Sequence, residues 1–190
     1  MKKREVLHLK TECGQIGYFL GLWFLIFLGI LLFACFQMMI FMNSSLYLED
    51  ALAASNLAAA VMDAEEYGRT HCILVDDPYG ARQRFDTAVK GNLNLDENWE
   101  CAARGMIIGP VCVEQFHVYN VTKEDITIYV FSAPGVASES HGQPGNVTAP
   151  DGSLVESSGI YSELSYTLEG LFGISVRAHK GKFVDIVSNG

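Results

Sequence analysis

The sequence predicts an α+β fold: a long N-terminal transmembrane helix projecting outward and packed, with a short helix, on a C-terminal antiparallel β-sheet. Three observations carry that expectation. Residues 13–48 contain no Asp, Glu, Lys or Arg; residues 46–67 continue in strong helix formers; and beyond Met106 apolar residues recur with period two. Helix-forming stretches precede all the strand-forming ones, an order in which helices cover one sheet face.

The composition agrees once it is divided along the chain. Of 190 residues, 49% are hydrophobic and 18% charged, with 13 Lys+Arg against 22 Asp+Glu, a net charge of -9 and a mean hydropathy of +0.20. Soluble domains are about one quarter charged, so this deficit points to a segment outside water. Residues 1–42 hold 4 basic and 2 acidic residues, and the remainder holds 9 basic and 20 acidic ones. The acidic excess argues against nucleic acid as a partner, since phosphate binding needs a Lys/Arg face and the basic cluster here is confined to the first ten residues.

Residues 16–42 are almost wholly Leu, Ile, Phe, Met, Gly and aromatic, more than the roughly 20 residues that cross a bilayer. A cleaved secretory signal would have a shorter apolar region and a small-x-small site close behind it; the site present, Ala51-Leu52-Ala53, follows the acidic pair Glu49-Asp50. Lys2, Lys3, Arg4 and Lys10 precede the span and Glu49, Asp50, Asp63, Glu65 and Glu66 follow it, which predicts a cytoplasmic N-terminus and an extracytoplasmic C-terminal domain. The expected organisation is a basic tail over 1–13, a membrane helix over 14–42, its outward continuation over 43–68 and an α+β domain over 69–190. Within the continuation Leu48, Leu52, Ala59 and Met62 recur at helical spacing, Glu49, Asn56, Asp63 and Glu66 mark a wetter side, and Gly68 is the expected stop.

A second helix is signalled by Asp77 as N-cap and Pro78 at its first position, with Tyr79, Ala81, Phe85, Ala88 and Val89 on one side and Gly91-Asn92 at its end. The following turn should tuck Leu93 and Leu95 under the domain. Residues 107–119 read as a strand with a phase change, hence a bulge, near Glu114-Gln115. Residues 126–131 alternate and should pair antiparallel with it. A Gly/Pro/Ser-rich excursion over 133–159 contains the turn Pro150-Asp151-Gly152 between two short extended pieces; residues 160–168 form a strand, and 171–178 with 183–187 a last hairpin about 179–182.

Signatures of catalysis are absent, with no Gly-x-Ser-x-Gly, Walker loop, His-Glu-x-x-His or Cys-x-x-Cys, so a non-enzymatic chain without cofactor or metal is expected. Cys72, Cys101 and Cys112 lie in the predicted outer domain. Their spacing does not suit zinc, and three thiols allow one disulfide of unassigned pairing plus a spare. Glu97 and Glu100 flank Trp99 in what reads as a solvated loop edge. The membrane helix is more informative: Gly17-x-x-x-Gly21 is a small-residue pair that lets another helix approach closely.

This layout resembles the TadE-like pseudopilins of tight-adherence (type IVc) pilus systems. The resemblance lies in the basic leader over 2–10, Gly14-Gln15 opening the apolar helix, the continuation through 51–61 and the small C-terminal sheet. It implies a pilin-like subunit of a bacterial cytoplasmic membrane, with membrane lipid, other pilin-like subunits or assembly-platform proteins, and a prepilin peptidase as partners. Gly14 and Gln15 would flank the peptidase cut. Such substrates usually carry Glu five residues after the Gly, where this chain has Phe19, and an uncut anchored accessory subunit is the form that departure suggests. A single-span binding or sensor module, with residues 133–159 as recognition element and Tyr129, Tyr161 or Tyr166 lining a pocket, is the alternative.

Overall fold

The computed structural model describes residues 2–101, 107–133 and 136–186, and divides into two compact units, Met1–Met42 and Asn43–Gly190. Helix α1 (Lys2–Ala59) contributes to both, and from Ile16 it is long and apolar enough to cross a membrane. In the first unit every side chain from Ile16 through Leu32 is exposed, as a lipid-facing helix requires.

In the second unit the end of α1 becomes a core element, burying Leu48, Leu52 and Ala59. The helix stops at Ala59 rather than running to Gly68. Residues 61–63 are drawn instead into extended pairing: Met62 bridges Val75, the Asp63 amide donates to the Leu74 carbonyl and the Asp76 amide to that of Val61. Asp63 then caps a new helix, α2 (Ala64–Thr70), accepting from the Glu66 amide. Helix α3 (Pro78–Leu93) starts as expected, with the Asp77 carboxylate accepting from the Tyr79 amide. It runs past Gly91 to a left-handed cap at Asn94 and buries Ala81, Phe85, Val89 and Leu93, while Tyr79 stays exposed.

Among the described residues one antiparallel sheet has the order β3-β2-β1-β4-β5, built from β1 (Ile107–Val121), β2 (Ile126–Ala133), β3 (Val136–Gly142), β4 (Gly159–Glu169) and β5 (Ser175–Asp185). The β1–β2 pairing and the bulge between Val113 and Gln115 match the sequence reading; a second irregularity lies between Ile108 and Cys112. Two expectations are corrected. The start of the Gly/Pro/Ser-rich excursion is a full edge strand, β3, paired to β2. The expected hairpin about residues 179–182 does not form: β5 continues straight through it, pairing with β4 from Glu169↔Ser175 to Gly159↔Asp185. Gly181 is no turn residue; the Tyr161 hydroxyl occupies the space a Cβ would need there.

The two sheet faces are covered differently. Phe116 pairs with Ser162 and Val118 with Ile160, and this face meets the helices, with the Phe85 and Phe116 rings 4.9 Å apart. On the opposite face Tyr119, Tyr161 and Ile126 cluster with Ala149 and Val155 from the excursion. Asp151 ties that cover down by accepting from the Phe183 amide at 2.9 Å, and the Ser158 hydroxyl accepts from Val121. Residues 143–158 are therefore a structural lid on the core. Tyr161 and Tyr166 are buried, so neither lines an open pocket.

Candidate functional site

Three places carry chemistry or exposed contact surface, and they are taken in chain order. On the apolar helix, Gly17 and Gly21 both have open space where a Cβ would project, and so does Gly29. Phe19, Leu20, Trp23 and Phe24 stand exposed around them. A helix surface with small residues flanked by large apolar ones admits a second helix at close range. The side chains of Gly14 and Gln15 lie outside the described residues, as does that of Cys13.

The second place is the polar contact of α1 with the sheet. Glu49 receives Lys180 at 2.7 Å and Lys182 at 2.8 Å. Lys180, then Lys182, bonded to its oxygens hold the Glu49 carboxyl down at a pKa of about 2, and the same carboxylate raises that of Lys182. One turn and more along the helix, the Asn56 amide donates to the Lys182 carbonyl at 2.8 Å while its oxygen accepts from the Ser162 hydroxyl at 2.6 Å. Asn92 of α3 donates to the Ser55 hydroxyl at 2.9 Å, and the Tyr47 hydroxyl donates to the Asn92 carbonyl. The periodicity put Asn56 on a wetter side; it is in fact fully buried, because its amide bonds two elements that arrive more than 100 residues later. No sequence signal marks that role, since an Asn at a core position reads as an interruption of the apolar stripe.

The third is a cavity of about 320 Å³ between α3 and the start of β1, lined by Arg82, Asp86, Asn98, Trp99 and residues 110–113. Arg82 Nε donates to Asp86 at 2.9 Å, and its guanidinium sits 5.5 Å from the Phe116 ring centroid. Burial pushes the Asp86 carboxyl up against the opposing pull of Arg82. Trp99 holds a left-handed backbone, φ 64°, rare outside Gly, with Lys90 above its ring at 5.4 Å. Glu97 engages Lys90 at 2.9 Å, and the Glu97/Glu100 pair is not brought to a common centre: Glu100 bridges Pro110 instead.

Cys72, Cys101 and Cys112 are free thiols. Cys101 bridges Leu95, and the neighbouring Glu100 bridges Pro110, two residues before Cys112. Burial raises the Cys101 thiol, which keeps it protonated and weakly nucleophilic. His117 is likewise lowered by burial and shares its Nδ1 with the Tyr119 hydroxyl at 3.1 Å. No group of three or more His, Cys, Asp or Glu among the described residues could hold a metal ion.

No family model matches the chain, and neither curated proteins nor solved structures show significant similarity to it. The class follows from the architecture itself: a single-pass membrane-anchored protein whose apolar N-terminal helix leads into an open antiparallel β-sheet domain. That layout is compatible with pilin-like proteins and is not specific to them.

Proposed function

We propose that the chain is a non-enzymatic, pilin-like subunit of a bacterial cytoplasmic membrane, oriented with its N-terminus inside and its sheet domain extracytoplasmic, that helps assemble a surface pilus or secretion apparatus through helix packing. The observation that supports this reading is α1 itself: one helix offers the open Gly17 and Gly21 positions in its apolar part and is bonded to the sheet through Glu49 and Asn56 at its end. A subunit built this way can exchange lipid contact for contact with a neighbouring helix while its domain stays folded. Exposed Leu46, Leu57 and Val61, with the sheet edges β3 and β5, supply further surface for neighbouring subunits or an assembly platform.

Two measurements test this. The N-terminal mass of the membrane-bound chain, with and without a prepilin peptidase, separates a chain cut between Gly14 and Gln15 from an intact one. Photo-crosslinking from position 17 in native membranes should capture a second span; a monomer crosslinked to lipid alone would remove the assembly reading. The cavity beside Trp99 supports the second reading, a membrane-anchored binding module, because it joins a mostly buried ion pair to a strained aromatic.

A further inference from the structure

The cavity between α3 and the start of β1 contains a cation whose bonding is unfinished. Arg82 is only 6% exposed and belongs to the buried side of α3. A guanidinium carries five N–H donors, and at such depth a donor without an acceptor is costly. One donor is accounted for, since Nε bonds Asp86, one turn further along the helix, at 2.9 Å. Among the described residues the terminal nitrogens Nη1 and Nη2, which hold the other donors, make no hydrogen bond, and neither is sealed from solvent. Arg82 lines the cavity, so its unbonded end opens there.

That end is fixed in place. Asp86 holds Nε, and the fully buried Phe116 ring, its centroid 5.5 Å from the guanidinium carbon, supports the group from the core side. Two parallel N–H groups on one edge of a fixed guanidinium match the two oxygens of a carboxylate, which they bind as a fork. Asp86 does not cancel the charge of the site. Burial raises its carboxyl, and Arg82 and then Lys90 oppose that rise, so two cations act on one carboxylate. Glu97, the partner of Lys90, is 96% exposed at its side chain and is screened by water. The surplus is positive and favours an anion over a neutral or cationic ligand.

Beside Arg82 the cavity has an apolar wall made by Trp99, Pro110, Val111 and Val113. Trp99 stands in it on a left-handed backbone, with Lys90 against its ring. A volume of about 320 Å³ lies at the small end of ligand pockets, with room for one small molecule.

We propose that this cavity binds a small carboxylic acid as its anion, with the carboxylate forked on Nη1 and Nη2 of Arg82 and an apolar or aromatic body against Trp99, Pro110 and Val111. The proposal rests on the binding-module reading and gives that module its ligand class; it does not depend on filament assembly.

The test is calorimetric titration of the full chain in nanodiscs, with empty nanodiscs as the blank. Phenylacetate is the probe, beside phenylacetamide, which has the same shape and no charge, and acetate, which lacks the body. Phenylacetate should bind saturably and about tenfold or more tighter than either, the worth of a charged hydrogen bond or of a buried ring. Arg82→Lys keeps the charge and loses the fork, and should weaken phenylacetate by about tenfold. Trp99→Gly suits the left-handed backbone and removes the ring without touching Arg82; it should also weaken phenylacetate several-fold, and it serves where Arg82→Lys does not fold. Equal affinity for acid and amide would keep a binding cavity and overturn the carboxylate assignment. Absence of saturable binding by every probe at millimolar concentration would overturn both, and phenylacetate binding unchanged in folded Arg82→Lys would place the anion elsewhere and overturn the assignment.

Discussion

The Ser162 hydroxyl donates a 2.6 Å hydrogen bond to the Asn56 side-chain oxygen, across a separation of 106 residues and at a point that solvent does not reach. The other end of the same amide donates to the Lys182 carbonyl, so one side chain of α1 joins both β4 and β5. Apolar burial does not choose among rotations of a helix on a sheet, whereas a buried amide with two fixed partners does.

Replacing Asn56 with Ala leaves the Ser162 hydroxyl and the Lys182 carbonyl without their partner. A buried unsatisfied group costs about 1–3 kcal/mol, and thermal denaturation of the full chain in nanodiscs should show a loss of that order. Adding Ser162→Ala should return part of it, since one of the two orphaned groups is then removed.

Stability should fall with acidification in a window set by Glu49. Its carboxyl is held near 2 when folded against an ordinary value of 4.5, so its contribution is complete above 4.5 and is lost as pH falls toward 2. Lys182, raised when folded, behaves oppositely: its contribution is present below 10.5 and fades above that. The Glu49 side chain is 27% exposed, so about 1 kcal/mol is at stake. Glu49→Gln should flatten the acid limb of a stability–pH profile while leaving the contribution of the Asn56 bonds intact.

Gly181→Ala separates a continuous β5 from a hairpin. A turn would accept Ala readily, but here the new methyl meets the hydroxyl of buried Tyr161. Overpacking of this kind costs about 1–3 kcal/mol, measurable by chemical denaturation, and Tyr161→Phe should recover part of it.

Phe85→Ala removes a fully buried ring that stacks against Phe116 and should cost about 3–5 kcal/mol. Proteolysis of the chain in nanodiscs would register this as faster cleavage between α3 and β1.

Gly17→Leu with Gly21→Leu should leave the melting of the sheet domain unchanged, because both positions belong to the other compact unit, and reduce span-to-span crosslinking at least several-fold. Unchanged crosslinking would mean that another face of the helix makes the contact.

Much of this architecture could be read from residue order. The charge-free stretch marks the span, Asp77-Pro78 the start of α3, and period-two alternation gives β1, β2 and β4, because each of these signals is local. What escaped is what depends on pairing. β3 has the sequence Val-Ala-Ser-Glu-Ser-His-Gly, whose small polar residues carry no strand signal and become a strand by bonding to β2. β5 contains a Lys-Gly-Lys that reads as a turn until Tyr161 is seen against its glycine. The break after Ala59 had a legible trace in Asp63-x-x-Glu66, a helix-capping pattern placed in the middle of a presumed helix. The cavity had none: Arg82 and Asp86 are four apart on α3, but Trp99 and Cys112 reach them only through the folding of the loop and strand.

The distances along the chain between α1 and its partners also set a timetable. Asn56 and Glu49 wait for residues up to 133 positions downstream, on β5. Until β4 and β5 leave the ribosome, Leu48 and Leu52 have no sheet to pack on, beside a helix already committed to the membrane. Folding of this domain therefore comes after synthesis of the helix by more than 100 residues and is slowed by long-range pairing. Deletion of β5 alone should leave the membrane helix in place and the sheet domain unassembled.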